Sequence, residues 1–293
     1  MRSVVPRPAR DVREARARFA ATLAADPPGV ATGSRAAIDA PAHRTELAVV
    51  LLHGFTNAPP QWAPFAAELR AAGIAVVRPR FPGHGYADHD TRVLAQVGAD
   101  EYLSTTSDAV DVACGLGRSV VVAGLSIGGS IAAWIALQRE DVSHAIALVP
   151  FFGVKRLGVF GNRILAAALA AGPSVFVPWD PSGRAGQVPP YGYPRFATRA
   201  LAAHLNVGRD TVRRAHRGEL PRGALSVVLN VREPACDNEI ARGAVRAWNA
   251  RRAGAVQLET LTDLPANHDI IDATNALERV DRVYPLLRRL IAR

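Results

Sequence analysis

The pentapeptide Gly124–Gly128, which reads Gly-Leu-Ser-Ile-Gly, constrains the fold of this chain more than any other feature. It follows an apolar, β-branched run at 119–123 and precedes an apolar segment at 129–137 that favours a helix. Between a strand and a helix, the pattern G-x-S-x-G predicts a sharp turn that presents the hydroxyl of Ser126 at a helix N-terminus. The two glycines remove side chains that would collide with neighbouring backbone. We therefore interpret the segment as a nucleophile elbow rather than an ordinary glycine turn.

Apolar runs and helical segments alternate along the chain. Uniformly apolar runs are typical of strands that are buried on both faces of a parallel sheet. Their alternation with helices indicates βαβ units with right-handed crossovers. The sequence therefore predicts an α/β fold in which helices flank a mostly parallel sheet. The predicted strands are 47–52, 74–77, 119–123, 145–149, 225–231 and 256–261, and the predicted helices are 8–25, 60–72, 99–114, 159–171, 195–205 and 270–292.

The alternation is interrupted once, between the predicted strands at 145–149 and 225–231. About 75 residues separate them, whereas a simple crossover needs roughly a dozen. The stretch is rich in proline and aromatic residues, which favours an insertion that covers the site, although a peripheral loop that packs elsewhere is the alternative. The predicted organisation is an N-terminal helix with lead-in strands at 1–46, a core at 47–150 and 206–293, and a cap at 151–205.

Composition excludes several classes of protein. With 293 residues and 49% hydrophobic side chains, the chain can bury a large core, which excludes a disordered protein. The net charge of +9 comes from arginines that are scattered rather than clustered, so nucleic-acid binding is not expected. Cys114 and Cys236 do not form a disulfide framework. Because the N-terminus lacks an apolar leader core and the longest apolar stretch, 164–179, is interrupted, we expect a cytoplasmic protein without a membrane-spanning segment.

A serine nucleophile needs a base, and the base needs a group that orients it. In folds with this elbow, the order along the chain is nucleophile, acid and histidine. His268 follows the last predicted strand and lies in a polar turn before a predicted helix, so we predict that it is the base for Ser126. Other histidines lie before the serine, at a strand start or in the insertion: His43, His53, His144, His204 and His216.

Two carboxylates compete for the role of the orienting acid, since both follow the predicted strand at 225–231. Glu233 is followed by Pro234, which restricts its backbone. Asp237 opens the helix that we expect after this strand, where its carboxylate could serve as an N-cap and nothing more. We favour Asp237, which leaves 31 residues before His268 (268 − 237), enough for one helix and one strand. Glu233 stays open as the alternative.

An oxyanion beside the serine requires two backbone N–H donors. The first predicted donor is Ile127, directly after the nucleophile. The second is Phe55, in the loop 53–57 after the first long strand, where Gly54 lets the backbone approach the serine. We interpret His53 as a residue that fixes this loop through hydrogen bonds.

We expect neither a metal nor an organic cofactor. His84, His89 and Asp90 lie close together in sequence, but no second cluster with ligand spacing accompanies them. A glycine-rich phosphate-binding loop before a helix is also missing from the sequence.

The Gly124–Gly128 elbow, the loop 53–57, the late acid and the late histidine, taken together, resemble the α/β-hydrolase superfamily. The resemblance is in particular to bacterial carboxylesterases and monoacylglycerol-lipase-like serine hydrolases. The resemblance covers about residues 47–293. It implies an α/β-hydrolase fold with a cap inserted between the sixth and seventh strands of the family fold. It also implies roles for five residues: Ser126 as nucleophile, His268 as base, Asp237 as the orienting acid, and Phe55 and Ile127 as oxyanion donors.

The resemblance implies hydrolysis of small carboxylic esters with short to medium acyl chains, through an acyl-enzyme intermediate. The same serine, histidine and acid could instead catalyse hydrolysis of amide, peptide or C–C bonds, or acyl transfer. A further alternative is a binding protein without catalytic activity. Dehalogenase and epoxide hydrolase chemistry is disfavoured because similar enzymes have Asp where Ser126 stands. The segment 233–236 departs from the family's usual glycine-containing turn.

Overall fold

A mostly parallel sheet forms the centre of the protein. The computed structural model describes residues 1, 3–179, 188–275 and 277–293, so residues 180–187 of the predicted cap lie outside the described residues. The strands are β1 Ala37–Asp39, β2 Thr45–Leu52, β3 Ala75–Arg78, β4 Gly117–Leu125, β5 His144–Leu148, β6 Phe176–Pro178, β7 Arg195–Ala197, β8 Ala224–Asn230 and β9 Gln257–Leu261. In the described part of the chain, seven of them form the central sheet in the order β1-β3-β2-β4-β5-β8-β9. Only β1 is antiparallel to its neighbour there, which confirms the predicted fold class.

Helices cover the sheet. They are α1 Val12–Ala24, α2 Ala63–Ala71, α3 Ala99–Leu116, α4 Ile127–Ala136, α5 Gly158–Ala171, α6 Thr198–His216, α7 Asn238–Arg251 and α8 Val280–Ile291. Among the described residues, no helix combines the length and the apolar character needed to cross a membrane. The centre of β2 and β4 is fully buried, as Val50 and Val122 illustrate, because helices cover both faces of the sheet.

The topology brings the functional segments to one edge of the sheet. The carboxyl ends of parallel strands point in the same direction, and ligand sites in such sheets lie outside these ends. Ser126 follows β4, and Phe55 lies in the loop after β2. Glu233 follows β8, and His268 lies in the loop after β9. Residues separated by up to about 200 positions in sequence therefore meet at one edge.

Two predicted helices differ from the structure by about ten residues at one end. The last helix begins at Val280 rather than at 270, because the carboxylates of Asp269 and Asp272 accept backbone N–H groups within 271–274 and hold that stretch in turns. The helix predicted at 195–205 is α6, which continues to His216. The predicted cap boundary at 205 therefore lies inside one continuous helix.

The extension of α6 has a physical cause in its ion pairs. Asp210 is buried and its carboxylate accepts a hydrogen bond from Trp134 Nε1 at 3.0 Å. Arg214 pairs with the same carboxylate at 2.7 Å, and Arg213 also contacts it. The helical spacing places the arginines one turn from Asp210, where they neutralise its buried charge. The hydrogen bond from Trp134 to Asp210 also joins α4 to α6.

Candidate active site

Ser126 occupies a strained turn between β4 and α4. Its backbone angles are φ 58° and ψ −113°, a conformation that non-glycine residues rarely adopt. A side chain at Gly124 would run into the backbone of Gly128, and a Cβ at Gly128 would come within 2.5 Å of Leu52 O. The turn can therefore close only with glycine at both positions, and it leaves the serine at the N-terminus of α4.

A continuous chain of hydrogen bonds joins Ser126, His268 and Glu233. The serine Oγ lies 2.9 Å from His268 Nε2. His268 Nδ1 lies 2.8 Å from Glu233 Oε1. Because a carboxylate only accepts, Nδ1 carries the proton that faces it, and Nε2 is free to accept from the serine hydroxyl. The arrangement suits proton transfer from the serine to the imidazole.

The structure places Glu233 against the histidine, and the expectation that Asp237 lies there is wrong. Asp237 Oδ1 accepts the backbone N–H groups of Glu239 at 3.0 Å and Ile240 at 3.2 Å, which makes it the N-cap of α7. This is the structural role that the sequence left open for it. The Asp237 carboxylate is thus already hydrogen-bonded to the first turn of α7.

Chain geometry after β8 explains why Glu233 reaches the histidine. The strand ends at Asn230, and the N–H of Glu233 donates to Asn230 O at 3.1 Å, so a tight turn keeps the glutamate at the sheet edge. Its side chain is fully buried. The N–H groups of Ala235 and Cys236 donate to Oε1 at 2.7 and 2.9 Å and fix the carboxylate. In the sequence, the relevant signal was the distance from the strand end: Glu233 lies three residues after Asn230, whereas Asp237 lies seven residues after it.

The pKa values of the pair shift in opposite directions. Burial alone would raise the pKa of Glu233, but the facing His268 and the two backbone donors hold it below its usual range. Burial alone would lower the pKa of His268, but the Glu233 carboxylate raises it more, well above the ordinary histidine value. Glu233 therefore stays ionised and favours the protonated form of the imidazole.

The two predicted oxyanion donors line the same cavity as the serine. Ile127 is the first residue of α4, and N–H groups of a first helical turn have no acceptor within the helix. Phe55 lines the same cavity as Ser126 and Ile127. The loop of Phe55 is held by His53, whose Nδ1 donates to Gly54 O at 2.9 Å while its Nε2 accepts the N–H of Phe81 at 3.1 Å.

Gln61 and Asp269 link the Phe55 loop to the loop of His268, and the sequence pattern pointed to neither residue. Gln61 Oε1 accepts the N–H of Gly54 at 2.8 Å, while Gln61 Nε2 donates to Asp269 Oδ2 at 2.6 Å. Asn57 Nδ2 donates to the same oxygen at 3.3 Å. Burial, with Asp272 nearby, raises the pKa of Asp269 to about 6. This bridge fixes the Phe55 loop relative to His268.

Sequence comparison places the chain in a family. A sequence profile described as the alpha/beta hydrolase family matches residues 49–286, which include the serine, the histidine and Glu233. The chain belongs to the alpha/beta hydrolase family. A thermostable monoacylglycerol lipase from Bacillus sp. (strain H-257) is 27% identical over 100 residues. That match spans 34% of this chain and 39% of the lipase.

Solved structures of lipolytic enzymes share the fold of this family member. A metagenome-derived lipolytic enzyme aligns with a TM-score of 0.69 and 19% identity, over 90% of this chain and 99% of the other. A soluble variant of monoglyceride lipase from Saccharomyces cerevisiae aligns with a TM-score of 0.67 and 14% identity, over 88% and 91%. The monoacylglycerol lipase of Paleococcus ferrophilus aligns with a TM-score of 0.67 and 14% identity, over 88% of this chain and 98% of the lipase. At these low sequence identities, the structural similarity establishes a shared fold.

An apolar cavity of about 1000 Å³ lies above Ser126 in this alpha/beta hydrolase. Residues between β5 and β8 supply much of its lining. The rings of Trp179 and Phe196 lie 4.5 Å apart, and that of Trp179 lies 5.8 Å from Phe55, edge to face. Trp179 Nε1 donates to Thr56 Oγ1 at 2.8 Å. The segment after β5 therefore packs directly on the loop of the predicted oxyanion donor.

Proposed function

We propose that this hydrolase cleaves small carboxylic esters with short to medium acyl chains, in the manner of a carboxylesterase or a monoacylglycerol lipase. The observation that carries the proposal is the chain of two hydrogen bonds from Ser126 through His268 to Glu233 at the floor of an apolar cavity. Glu233 takes the role that the sequence assigned to Asp237. The lipolytic relatives support ester substrates.

In the proposed reaction, His268 removes the hydroxyl proton of Ser126 as Oγ attacks the ester carbonyl. The N–H groups of Phe55 and Ile127 stabilise the oxyanion. The imidazolium, held by Glu233, then protonates the alcohol, which leaves. Water attacks the acyl-enzyme by the same proton transfers in reverse order and releases the acid.

The lining of the cavity supports an acyl group as the buried part of the substrate. Apolar side chains dominate the wall: Phe55, Phe151, Trp179, Phe196 and Leu201. Pockets of this kind hold apolar ligands and use a few polar groups for orientation. The volume of about 1000 Å³ leaves room for a medium acyl chain together with a small alcohol.

The Ser126→Ala variant tests the proposal. We expect it to fold, to lose at least about 10³-fold in kcat on p-nitrophenyl esters and to stop reacting with a fluorophosphonate probe. Ser104→Ala is the matched control, since Ser104 lies on the exposed face of α3 and, among the described residues, its hydroxyl donates to Glu101 O in the same helix. Undiminished turnover in Ser126→Ala, or no turnover of any ester by the wild type, would contradict the proposal.

A further inference from the structure

Three metal-binding donor groups meet behind the catalytic serine: the carboxylate of Glu233, Sγ of Cys236 and Nδ1 of His268. Their donor atoms all lie within 4.8 Å of one another. We propose that this donor triangle (Glu233, Cys236 and His268) is an inhibitory site for Zn²⁺, in which the ion turns off the catalytic base. The inhibition, though not the binding, rests on the proposed hydrolase function.

Two of the three distances in the donor triangle are close to those around a tetrahedral zinc. Zn–S bonds of about 2.3 Å and Zn–N or Zn–O bonds of about 2.0 Å place the donors roughly 3.3–3.6 Å apart. His268 Nδ1 lies 4.0 Å from Cys236 Sγ and 2.8 Å from Glu233 Oε1. Shifts of about 0.5 Å bring these two distances into range, and the third, between the Cys236 and Glu233 donor atoms, is within 4.8 Å. Cysteine, histidine and carboxylate form a ligand set that zinc prefers.

The backbone around Cys236 is already fixed before an ion binds. The N–H of Cys236 donates to Glu233 Oε1 at 2.9 Å, and the flanking residues pair with the strand-like segment 153–155. The neighbouring Asp237 donates its N–H to Gly153 O at 2.9 Å. Little chain ordering is therefore needed when the ion binds, and such preorganisation favours affinity.

Access and charge also favour a divalent cation. Cys236 and His268 both line the cavity, so an ion can reach them from solvent and keep a cavity water as its fourth ligand. Glu233 Oε2 is buried and has no hydrogen-bond partner among the described residues, which makes it a spare donor. The thiolate and the carboxylate carry one negative charge each, and the imidazole is neutral. Together they neutralise the two positive charges of Zn²⁺, so the metal-bound triangle carries no net charge.

Binding of the ion changes the tautomer of the imidazole. The Cys236 thiol loses its proton to solvent as the Zn–S bond forms, since a coordinated thiol is deprotonated. The imidazole proton moves from Nδ1 to Nε2 as the Zn–N bond replaces the hydrogen bond to Glu233. No oxidant or reductant is involved. With Nε2 protonated, His268 cannot accept the proton of Ser126, and attack on the ester stops.

The test compares two cysteine variants. Cys236→Ala removes one donor of the triangle, whereas Cys114→Ala removes a buried thiol that lies 3.5 Å from Asp141 on another part of the protein. Esterase activity is measured against buffered free Zn²⁺, each variant relative to its own rate without metal. We expect reversible inhibition of wild type and Cys114→Ala that EDTA relieves, and at least a tenfold higher inhibitory concentration for Cys236→Ala.

Binding is measured separately from activity in the Ser126→Ala background. Equilibrium dialysis should give one Zn²⁺ per chain, and Co²⁺ should give a thiolate-to-metal absorption band that Cys236→Ala removes. Cys236-dependent binding in a protein that shows no esterase activity would leave the site standing and reject the proposed function instead. The site is overturned if Zn²⁺ neither binds nor inhibits, or if Cys236→Ala responds to Zn²⁺ like the wild type.

Discussion

Glu233 and Asp237 are both acids on the segment after β8, but their carboxylates have different partners. Glu233 contacts the imidazole, and Asp237 caps α7. We expect Glu233→Gln to lower kcat by about 10²–10⁴-fold, because a neutral amide neither orients His268 as a carboxylate does nor stabilises its imidazolium. We expect Asp237→Asn to keep kcat within a few-fold, since Asn is also a good N-cap. Steady-state kinetics on one ester compares both variants, and the reverse order of effects would restore Asp237 as the acid.

In the proposed mechanism, the protonation state of His268 sets how the activity depends on pH. Only the neutral imidazole accepts the serine proton, so kcat/KM should rise with pH. Because Glu233 holds the pKa of His268 well above the ordinary value, the midpoint should lie above about 6.5. Glu233→Gln removes the charge that stabilises the imidazolium, so it should move the midpoint to lower pH. A pH profile of kcat/KM, recorded with a chelator present, measures both midpoints, and a midpoint that does not respond to Glu233→Gln would reject the assignment.

At the scale of secondary-structure elements, the segment between β5 and β8 supplies much of the wall of the cavity. Trp179 contacts Phe55 and Phe196 there. We expect Trp179→Ala to change the ratio of kcat/KM for medium over short acyl esters by about tenfold, because each methylene held in an apolar pocket contributes roughly 1–3 kcal/mol. The measurement is a series of p-nitrophenyl esters of increasing length.

Phe160→Ala on α5 is the control for Trp179→Ala. Phe160 is 72% exposed and does not line the cavity in the described structure. Its replacement should leave the chain-length profile unchanged. If Trp179→Ala lowered only the melting temperature, with the wild-type ester profile retained, the segment would have no role in acyl selection.

At the scale of the whole molecule, α1 is fastened to the core by a close approach at Gly115 of α3. A Cβ at Gly115 would lie 2.6 Å from Asp11 O and 2.9 Å from the Cβ atoms of Ala9 and Ala15. We expect Gly115→Ala to lower the free energy of unfolding by about 1–3 kcal/mol through overpacking. The kcat should hardly change, since α1 does not line the cavity among the described residues. Thermal and urea unfolding measure the effect.

The same substitution at Gly243 in α7 provides a matched comparison. The nearest atom to a Cβ there is the tip of Arg246 at 3.9 Å, so the added methyl group meets open space. Gly243→Ala should therefore stabilise the protein by up to about 1 kcal/mol through helix propensity. Equal effects of the two substitutions would show that α1 does not pack on Gly115 as described.

Local patterns in the sequence were sufficient for much of the fold. Strands such as β2 and β4 are apolar throughout because both of their faces are buried, and this pattern is visible without tertiary information. The turn at Ser126 could also be predicted, since its geometry requires glycine on both sides. The order of nucleophile, acid and histidine then pointed to His268.

Other features depend on contacts between residues that are distant in sequence. The choice of Glu233 over Asp237 depends on how tightly the chain turns after β8 and on where β9 delivers His268. The bridge from Gln61 to Asp269 joins residues 208 positions apart. Periodicity and spacing specify which residues form an element and which way its faces point. Only the packed sheet brings side chains from separate loops within hydrogen-bonding distance, because those distances are set by the strand order and not by the sequence between them.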